Sequence, residues 1–157
     1  MTNSNNSSTP HLPQTRSKWS WLPFLIVAPI GFIDAAYLTI EHYLNRVPPC
    51  SIVSGCEVVT TSQYSAVFGV PIALFGALYY LAIIVGVVAY LDTKKEKILS
   101  WVSWATIIGF LTSIYLVGLQ LFVLHAICLY CMGSAISSTL LFIFGLCQIK
   151  MLRSPRS

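Results

Sequence analysis

Residues 119–133 read LQLFVLHAICLYCMG, and two long apolar runs meet within this stretch almost without a break. The first run covers residues 98–124 and the second covers residues 126–149, and neither contains an acidic or basic side chain. A membrane-spanning helix needs roughly 20 apolar residues, so each run is long enough to form one. A tight turn near residues 125–127 must therefore separate two helices. The second of these helices opens with a Cys-x-x-Cys motif, Cys128 and Cys131.

Two more apolar runs lie upstream. Residues 70–91 carry no charge, and residues 19–44 are interrupted by Asp34 and Glu41. The chain has 157 residues, of which 56% are hydrophobic and only 9% are charged, whereas a soluble domain averages about 25% charged residues. This composition excludes an ordinary water-soluble surface. We therefore predict an all-α membrane protein with four transmembrane helices packed as a bundle, in which Asp34 faces the interior.

The two ends of the chain differ from this apolar region. Residues 1–18 are rich in Ser, Thr, Asn and Pro and are predicted to form a disordered cytoplasmic tail. Residues 19–151 are predicted to form the four-helix transmembrane domain, and residues 152–157 a second cytoplasmic tail. A cleaved signal peptide is the competing interpretation of the first run. That run is longer than a typical signal core, and three more spans follow it.

The basic residues predict the orientation of the bundle. Eight of the nine Lys and Arg residues lie before the first run, between the second and third runs, or after the fourth. Positive charge near membrane helices marks the cytoplasmic side, so both termini are expected there. The net charge of +4 therefore indicates membrane anchoring, and nucleic acid is not expected as a partner. The eight residues are Arg16, Lys18, Lys94, Lys95, Lys97, Lys150, Arg153 and Arg156.

This orientation brings four of the five cysteines to one face. Cys50 and Cys56 lie in the loop after the first run, and Cys128 and Cys131 open the fourth. Both places are predicted to be extracytoplasmic, where disulfides form and persist. Cys147 lies near the opposite end of the fourth run and is expected to be a small buried apolar side chain. Because 72 residues separate Cys56 from Cys128, the function depends on whether the two pairs meet in space.

Three interpretations of the four cysteines compete. Two structural disulfides would add little, because a Cys-x-x-Cys bridge closes a very small loop. A four-cysteine zinc site is the second, but the spacing of Cys50 and Cys56 is wider than zinc motifs usually show. In the third, one pair passes electrons to the other by thiol–disulfide exchange. A helix start suits this chemistry, because its N–H groups and partial positive charge stabilise a thiolate.

An electron relay needs a terminal acceptor. The sequence offers no metal motif and no nucleotide-binding loop, and a lipid-soluble quinone is the acceptor available inside a membrane. The thiolate of Cys131, one turn into the last span, would lie at the depth of the bilayer surface beside apolar walls. A quinone is therefore inferred by elimination, with no metal cofactor.

The order of these elements resembles the vitamin K epoxide reductase family, in its bacterial branch without a fused thioredoxin-like domain. The resemblance covers about residues 31–146. It rests on the loop cysteine pair, Ser62 six residues beyond Cys56, Phe68-Gly69 before the second span, and the Cys-x-x-Cys that opens the last span. Phe75-Gly76 supports the bacterial branch. The resemblance implies a short half-helix between the first two spans and a location in the bacterial inner membrane.

The resemblance also implies a role for each cysteine. Cys131 matches the cysteine that faces the quinone, and Cys128 matches its partner in the active-site disulfide. Cys50 matches the loop cysteine that exchanges with Cys128, and Cys56 the one that meets a separate thioredoxin-fold protein of the DsbA type. The chain would then oxidise that protein, reduce ubiquinone or menaquinone, and support disulfide formation in exported proteins. Vitamin K epoxide reduction and a non-enzymatic assembly role are the alternatives.

By the same register, ten residues fall at positions expected to line a quinone pocket. They are Thr60, Ser62, Tyr64, Phe68, Ile72, Phe75, Leu116, Gln120, Leu124 and Ala135. The vertebrate enzymes have Asn at the position of Ile72 and Tyr at that of Ala135, and both residues bind the vitamin there. These two departures favour plain quinone reduction over epoxide reduction.

The sequence allows two interpretations for each of three polar residues. Asp34 is either a functional intramembrane acid or a protonated, hydrogen-bonded group that faces the bundle. Gln120 either donates to a quinone carbonyl or bonds a neighbouring helix. His125 either moves protons for the thiols or is a polar residue of the interfacial turn.

Overall fold

The computed structural model describes residues 21–48 and 55–153. Cys50 and both predicted tails except residues 152 and 153 lie outside the described residues. Five α-helices form the described part of the chain: α1 Leu22–Tyr43, α2 Gly55–Thr61, α3 Ile72–Thr93, α4 Glu96–Gly118 and α5 Leu129–Arg153. Two short strands, β1 Ala66–Val67 and β2 Val70–Pro71, lie between α2 and α3.

The four long helices confirm the predicted transmembrane bundle. Helices α1, α3, α4 with its π-helical extension Leu119–Val123, and α5 are each long and apolar enough to cross a membrane. Helix α1 packs on α3 and α5, and α4 packs on α5 and α3, so each helix contacts two neighbours around a closed ring. The predicted half-helix between the first two spans is α2. The protein is therefore a multi-pass membrane protein.

Small residues let the helices approach closely. A Cβ at Gly31 would overlap the ring of Tyr80, and a Cβ at Gly145 would overlap the hydroxyl of Thr106. Phe24, Ile83 and other apolar side chains fill the remaining space between the helices. Small residues at such crossings are typical of membrane bundles, where close packing contributes most of the association between helices.

A tight hairpin links α2 to α3. Strands β1 and β2 pair antiparallel, with Val67 opposite Val70, so Phe68 and Gly69 form a two-residue turn. Both turn residues have positive φ, as a type I′ turn requires, and Gly69 adopts that conformation without strain. The second predicted run began at residue 70, but α3 begins at Ile72 because residues 70 and 71 form β2.

The turn predicted near residues 125–127 is confirmed, and it is longer than the sequence indicated. Helix α4 ends in the π-helical segment Leu119–Val123, and α5 begins only at Leu129. The wider π turn is closed by the N–H of Leu124, which donates to the carbonyl of Leu119 at 3.0 Å. His125 follows with φ 47° and reverses the chain direction. This π segment and the turn place Gln120 beside the Cys-x-x-Cys motif.

Candidate active site

The Cys-x-x-Cys motif straddles the first turn of α5. Cys128 immediately precedes the helix and is fully buried, whereas Cys131 lies inside the helix and is partly exposed. Both are free thiols. The thiol of Cys131 hydrogen-bonds the sulfur of Cys128, and the backbone N–H groups of Cys131 and Tyr130 also donate to that sulfur. The two side chains are thus in direct contact, as a pair that forms a disulfide must be.

These contacts set the acidity of Cys128. The hydrogen bond from the Cys131 side chain lowers the pKa of the Cys128 thiol most, and the two backbone N–H groups lower it further. Burial and the nearby charge of Asp34 act in the opposite direction. The net result is a pKa lowered to about 7. The helix start therefore favours the thiolate at Cys128, the outer residue of the pair, and Cys128 is the better nucleophile near neutral pH.

Helix α2 meets this motif through a glycine. A Cβ on Gly55 would lie 2.5 Å from the carbonyl oxygen and 2.7 Å from the nitrogen of Ile127, so the two backbones are in direct contact. Gly55 precedes Cys56, and Ile127 precedes Cys128. Cys56 is only 1% exposed and is disulfide-bonded. The loop segment that carries Cys56 thus packs against the segment that carries Cys128, although its predicted partner Cys50 lies outside the described residues.

A cavity of about 350 Å³ opens beside the motif, within the size range of small-molecule sites. Helices α1, α3, α4 and α5 form its walls, and α2 with the residues before β1 covers one side. Cys131 lines this cavity and Cys128 does not. One cysteine of the pair therefore faces the cavity, and the other lies behind it, next to Ile127 and α2.

Most of the pocket residues expected from the sequence lie in the cavity wall. Eight of the ten line it: Thr60, Ser62, Tyr64, Ile72, Leu116, Gln120, Leu124 and Ala135. The structure does not place the other two there. Phe68 is fully exposed at the tip of the hairpin turn, and Phe75 is 53% exposed on α3. Phe68 points away because the turn residues of a two-residue hairpin project beyond the paired strands.

Several polar residues have positions that the sequence left open. The side chain of Gln120 is buried, and its oxygen accepts a hydrogen bond of 3.0 Å from the backbone N–H of Cys128. His125 is exposed in the turn, which fits a polar interfacial residue. Asp34 lines the cavity, so it faces the interior of the bundle as predicted. Cys147 was expected to be buried, but it is exposed on α5, because its position falls on the outer face of the bundle.

Sequence reasoning missed the polar mouth of the cavity. Glu41 and His42 are half-buried at the end of α1, and they line the cavity with Arg46. Their spacing from Asp34 along the helix was the available signal, since residues separated by seven or eight positions share one helix face. The end of α1 therefore contributes charged groups to the cavity wall.

The structure also bears on the zinc alternative. Among residues 21–48 and 55–153, no three His, Cys, Asp or Glu side chains are grouped as metal ligands would be. Cys56 is in a disulfide, and a disulfide sulfur is not a thiolate ligand for zinc. In this arrangement Cys56 does not complete a four-cysteine site.

One comparison with known proteins identifies the family. The sequence pattern of the Vitamin K epoxide reductase family matches residues 22–146, which include the four long helices, the hairpin and the Cys-x-x-Cys motif. A match over most of the chain shows that it belongs to this family. The protein is therefore a membrane oxidoreductase.

Proposed function

We propose that this member of the vitamin K epoxide reductase family is a quinone-dependent thiol oxidase. A reduced thioredoxin-fold protein of the DsbA type outside the cytoplasm gives two electrons to Cys50 and Cys56. Exchange passes them to Cys128 and Cys131, and Cys131 delivers them to ubiquinone or menaquinone. The outcome is disulfide formation in exported proteins. The proposed site of this reaction is the extracytoplasmic face of a bacterial inner membrane, with both termini in the cytoplasm.

One observation carries this proposal: the two cysteines of the motif face different neighbours. Cys131 lines the cavity, whereas the chain next to Cys128 contacts the start of α2. A relay needs this division, because one thiol must meet the electron acceptor and the other must meet the loop pair. The hydrogen-bonded contact between the two thiols then allows the pair to give up two electrons as its disulfide forms.

The redox states of the cysteines fit the same sequence of steps. Cys56 is disulfide-bonded while Cys128 and Cys131 are free thiols. This is the distribution expected after the loop pair, Cys50 and Cys56, has reduced the inner pair, Cys128 and Cys131, and before quinone accepts the electrons. Exchange begins when the Cys50 thiolate attacks Cys128 of the Cys128–Cys131 disulfide and Cys131 leaves. Cys56 then attacks Cys50 in the mixed disulfide, and the lowered pKa of Cys128 makes it a good leaving group in that second step.

The cavity fits a quinone head group. The cavity wall includes the apolar side chains of Leu116, Leu124, Ile72 and Ala135. Asp34 supplies a buried carboxyl oxygen that has no hydrogen-bond partner in the described part of the chain. A quinone presents a flat apolar ring with two hydrogen-bond acceptors, so such a site needs mostly apolar walls and few polar groups. Bound there, a quinone supplies a two-electron acceptor. Ile72 and Ala135 offer no hydrogen bond, which supports plain quinone reduction.

The deciding experiment measures electron transfer to quinone by the purified protein. Reduced thioredoxin-fold protein and a soluble quinone are mixed with the enzyme, and the quinone absorbance is followed. Cys131→Ser should abolish turnover, whereas Cys147→Ser, which alters an exposed thiol remote from the cavity, should leave it intact. Unchanged turnover in Cys131→Ser would contradict the proposed quinone-dependent thiol oxidase function. Metal analysis of the same sample tests the rival non-enzymatic role, in which bound metal without quinone turnover is expected.

A trapping experiment tests the order of the relay. Cys56→Ser removes the thiol that resolves a mixed disulfide, so Cys50 and Cys128 should accumulate as a linked pair. Mass spectrometry of the digested protein detects that peptide pair directly. If Cys50 and Cys128 are never found linked, the proposed route between the two pairs is contradicted.

A further inference from the structure

Asp34 is an acid in the wall of the cavity. It lies on the interior face of α1 and lines the same cavity as Cys131. Its Oδ2 atom is buried from solvent and has no hydrogen-bond partner within the described residues. An intramembrane carboxyl is costly to keep unless it has a partner or a function. A partner supplied by a bound molecule in the cavity would satisfy this atom.

Three other polar side chains of the cavity wall already have hydrogen-bond partners within the protein. The hydroxyl of Thr60 donates to the carbonyl of Cys56 at 2.7 Å, and that of Ser62 donates to the carbonyl of Val59 at 2.8 Å. The side-chain oxygen of Gln120 is taken by the N–H of Cys128. These bonds stay within the protein. Asp34 therefore differs from them in having a buried oxygen available to a ligand.

The nearby hydroxyl of Tyr80 does not bond the Oδ2 atom of Asp34 either. Tyr80 lies close enough to Asp34 for their charges to interact, but its hydroxyl bonds the carbonyl of Ser134 at 2.9 Å and the hydroxyl of Ser138 at 2.9 Å. Both of these partners belong to α5. The hydroxyl of Tyr80 is thus held by α5, and the Oδ2 atom of Asp34 is left without a partner in the described part of the chain.

Asp34 also lies near both redox thiols. Its charge interacts with Cys128 and with Cys131, so the carboxyl and the sulfur atoms share one poorly solvated region. A carboxyl that lines a reaction cavity is suited to proton transfer, because it can take a proton from one group and return it to another. The reaction proposed above requires such a transfer, since each quinone that is reduced takes up two protons.

We propose that the Asp34 carboxyl carries a proton from the Cys131 thiol to a quinone oxygen, an inference that rests on the proposed quinone reductase function. In the balanced reaction, two thiols and one quinone give one disulfide and one quinol. The S–H bond of Cys131 breaks as Asp34 takes its proton, and the carboxylic acid then returns that proton to one quinone oxygen. Cys128 releases its proton to solvent, and the second quinone oxygen takes one from solvent. Two electrons leave the sulfurs as their bond forms, and Asp34 is unchanged.

The first test compares matched substitutions. Asp34→Asn keeps the size of the side chain and removes its acidity, and Asp92→Asn makes the same change at an exposed position near the far end of α3. General acid–base groups contribute about 10² to 10⁴ in rate, so Asp34→Asn should lower the kcat for quinone reduction by about 10²-fold or more. Asp92→Asn should match the wild type. Internal disulfide exchange, followed without quinone, should proceed in both variants and shows that they are folded.

Chemical rescue separates proton transfer from a structural role. Asp34→Ala leaves space in the cavity, and added formate should restore quinone reduction severalfold by supplying a carboxyl there. Formate should have no effect on the wild type or on Asp92→Ala. A purely structural defect would not respond to a diffusible acid. Full activity of Asp34→Asn, or low activity of Asp34→Ala without rescue, would overturn the assignment of Asp34.

A second readout does not depend on turnover. Cys131→Ser removes the thiol that is proposed to reduce quinone and changes the cavity by a single atom. Infrared difference spectra of this variant should show a carboxyl band that shifts when ubiquinone-1 or menadione is added. The band should be absent from the Asp34→Asn, Cys131→Ser double variant. A band unchanged by quinone contradicts the role of Asp34. If the wild type itself reduces no quinone, the proposed function fails first, so the two failures are distinguishable.

Discussion

The side-chain oxygen of Gln120 accepts a hydrogen bond of 3.0 Å from the backbone N–H of Cys128. This bond joins the π-helical end of α4 to the residue before α5, across the turn that contains His125. A second bond, from the N–H of Ala126 to the carbonyl of Gln120 at 3.1 Å, closes the same turn. Gln120 therefore fixes the position of Cys128 relative to the cavity and to α2, and it acts as a positioning residue.

Replacing Gln120 with Leu should destabilise the turn. The N–H of Cys128 would be left buried without a partner, which costs about 1–3 kcal/mol. The displaced Cys128 should exchange more slowly with the loop pair, while the apparent quinone KM changes less. Thermal unfolding and rapid-mixing thiol exchange measure the two effects. The matched control is Gln148→Leu, because Gln148 is also buried but its Nε2 has no partner in the described residues. Equal effects of the two substitutions would contradict the positioning role.

The lowered pKa of Cys128 predicts a specific pH dependence. A thiol with a pKa of about 7 is largely ionised at pH 8, whereas an ordinary cysteine of pKa about 8.5 is mostly protonated there. Thiolate absorbance should therefore rise as the pH passes through about 7 in Cys131→Ser, whose hydroxyl still donates to Cys128. In Cys131→Ala, which loses the strongest of the stabilising contacts, the rise should move to higher pH. Identical titrations of the two variants would show that this hydrogen bond is not the cause.

The contact between Gly55 and Ile127 predicts that a substitution at Gly55 slows electron transfer between the two cysteine pairs more than it slows quinone reduction itself. Gly55→Ala places a methyl group within 2.5 Å of the carbonyl oxygen of Ile127, so one of the two segments must move. Quinone reduction driven by the thioredoxin-fold protein should fall at least about tenfold, since a misplacement of about 1 Å can cost 10²-fold. Reduction driven by a small dithiol that reaches the inner pair directly should fall much less.

Gly133→Ala is the control for this experiment. Gly133 lies in the first turns of α5, near the motif, but a Cβ there meets no atom within 4 Å. Alanine also favours a helix over glycine by about 1 kcal/mol. Gly133→Ala should therefore retain both activities. A loss of both activities in Gly55→Ala would indicate a folding defect and would argue against a specific role in the relay.

The sequence predicted the helices well because their signal is local. Runs of roughly 20 apolar residues leave few alternatives to membrane helices, and the same runs reappear in the structure with shifts of only a few residues. The contacts between segments remote in sequence were harder to predict. Nothing in the spacing of Gln120 showed that a π-helical turn would direct its side chain to Cys128, and the contact of Gly55 with Ile127 depends on packing over 72 positions. Phe68 was misplaced because turn geometry sets its direction.

The cavity predicts that bulk at Ala135 will interfere with quinone. Ala135 lies one turn after Cys131 and lines the cavity. Ala135→Phe should raise the quinone KM severalfold while leaving thiol exchange between the cysteine pairs intact, because the added ring occupies the space beside Cys131. Ala82→Phe makes the same change on an exposed face of α3, outside the cavity. If both variants bind quinone like the wild type, the site of quinone reduction lies elsewhere.

The orientation of the bundle can be tested independently of activity. Eight of the nine basic residues are predicted to lie in the cytoplasm, so Lys94 in the α3–α4 turn and Val67 in the hairpin should face opposite sides. Both side chains are exposed, which makes each a suitable site for a single cysteine in a background with all native cysteines replaced by serine. In intact cells, a membrane-impermeant maleimide should label Val67→Cys and spare Lys94→Cys until the membrane is permeabilised. The reverse pattern would place the relay in the reducing cytoplasm. Disulfides do not persist there, so the proposed oxidation of exported proteins would then be excluded.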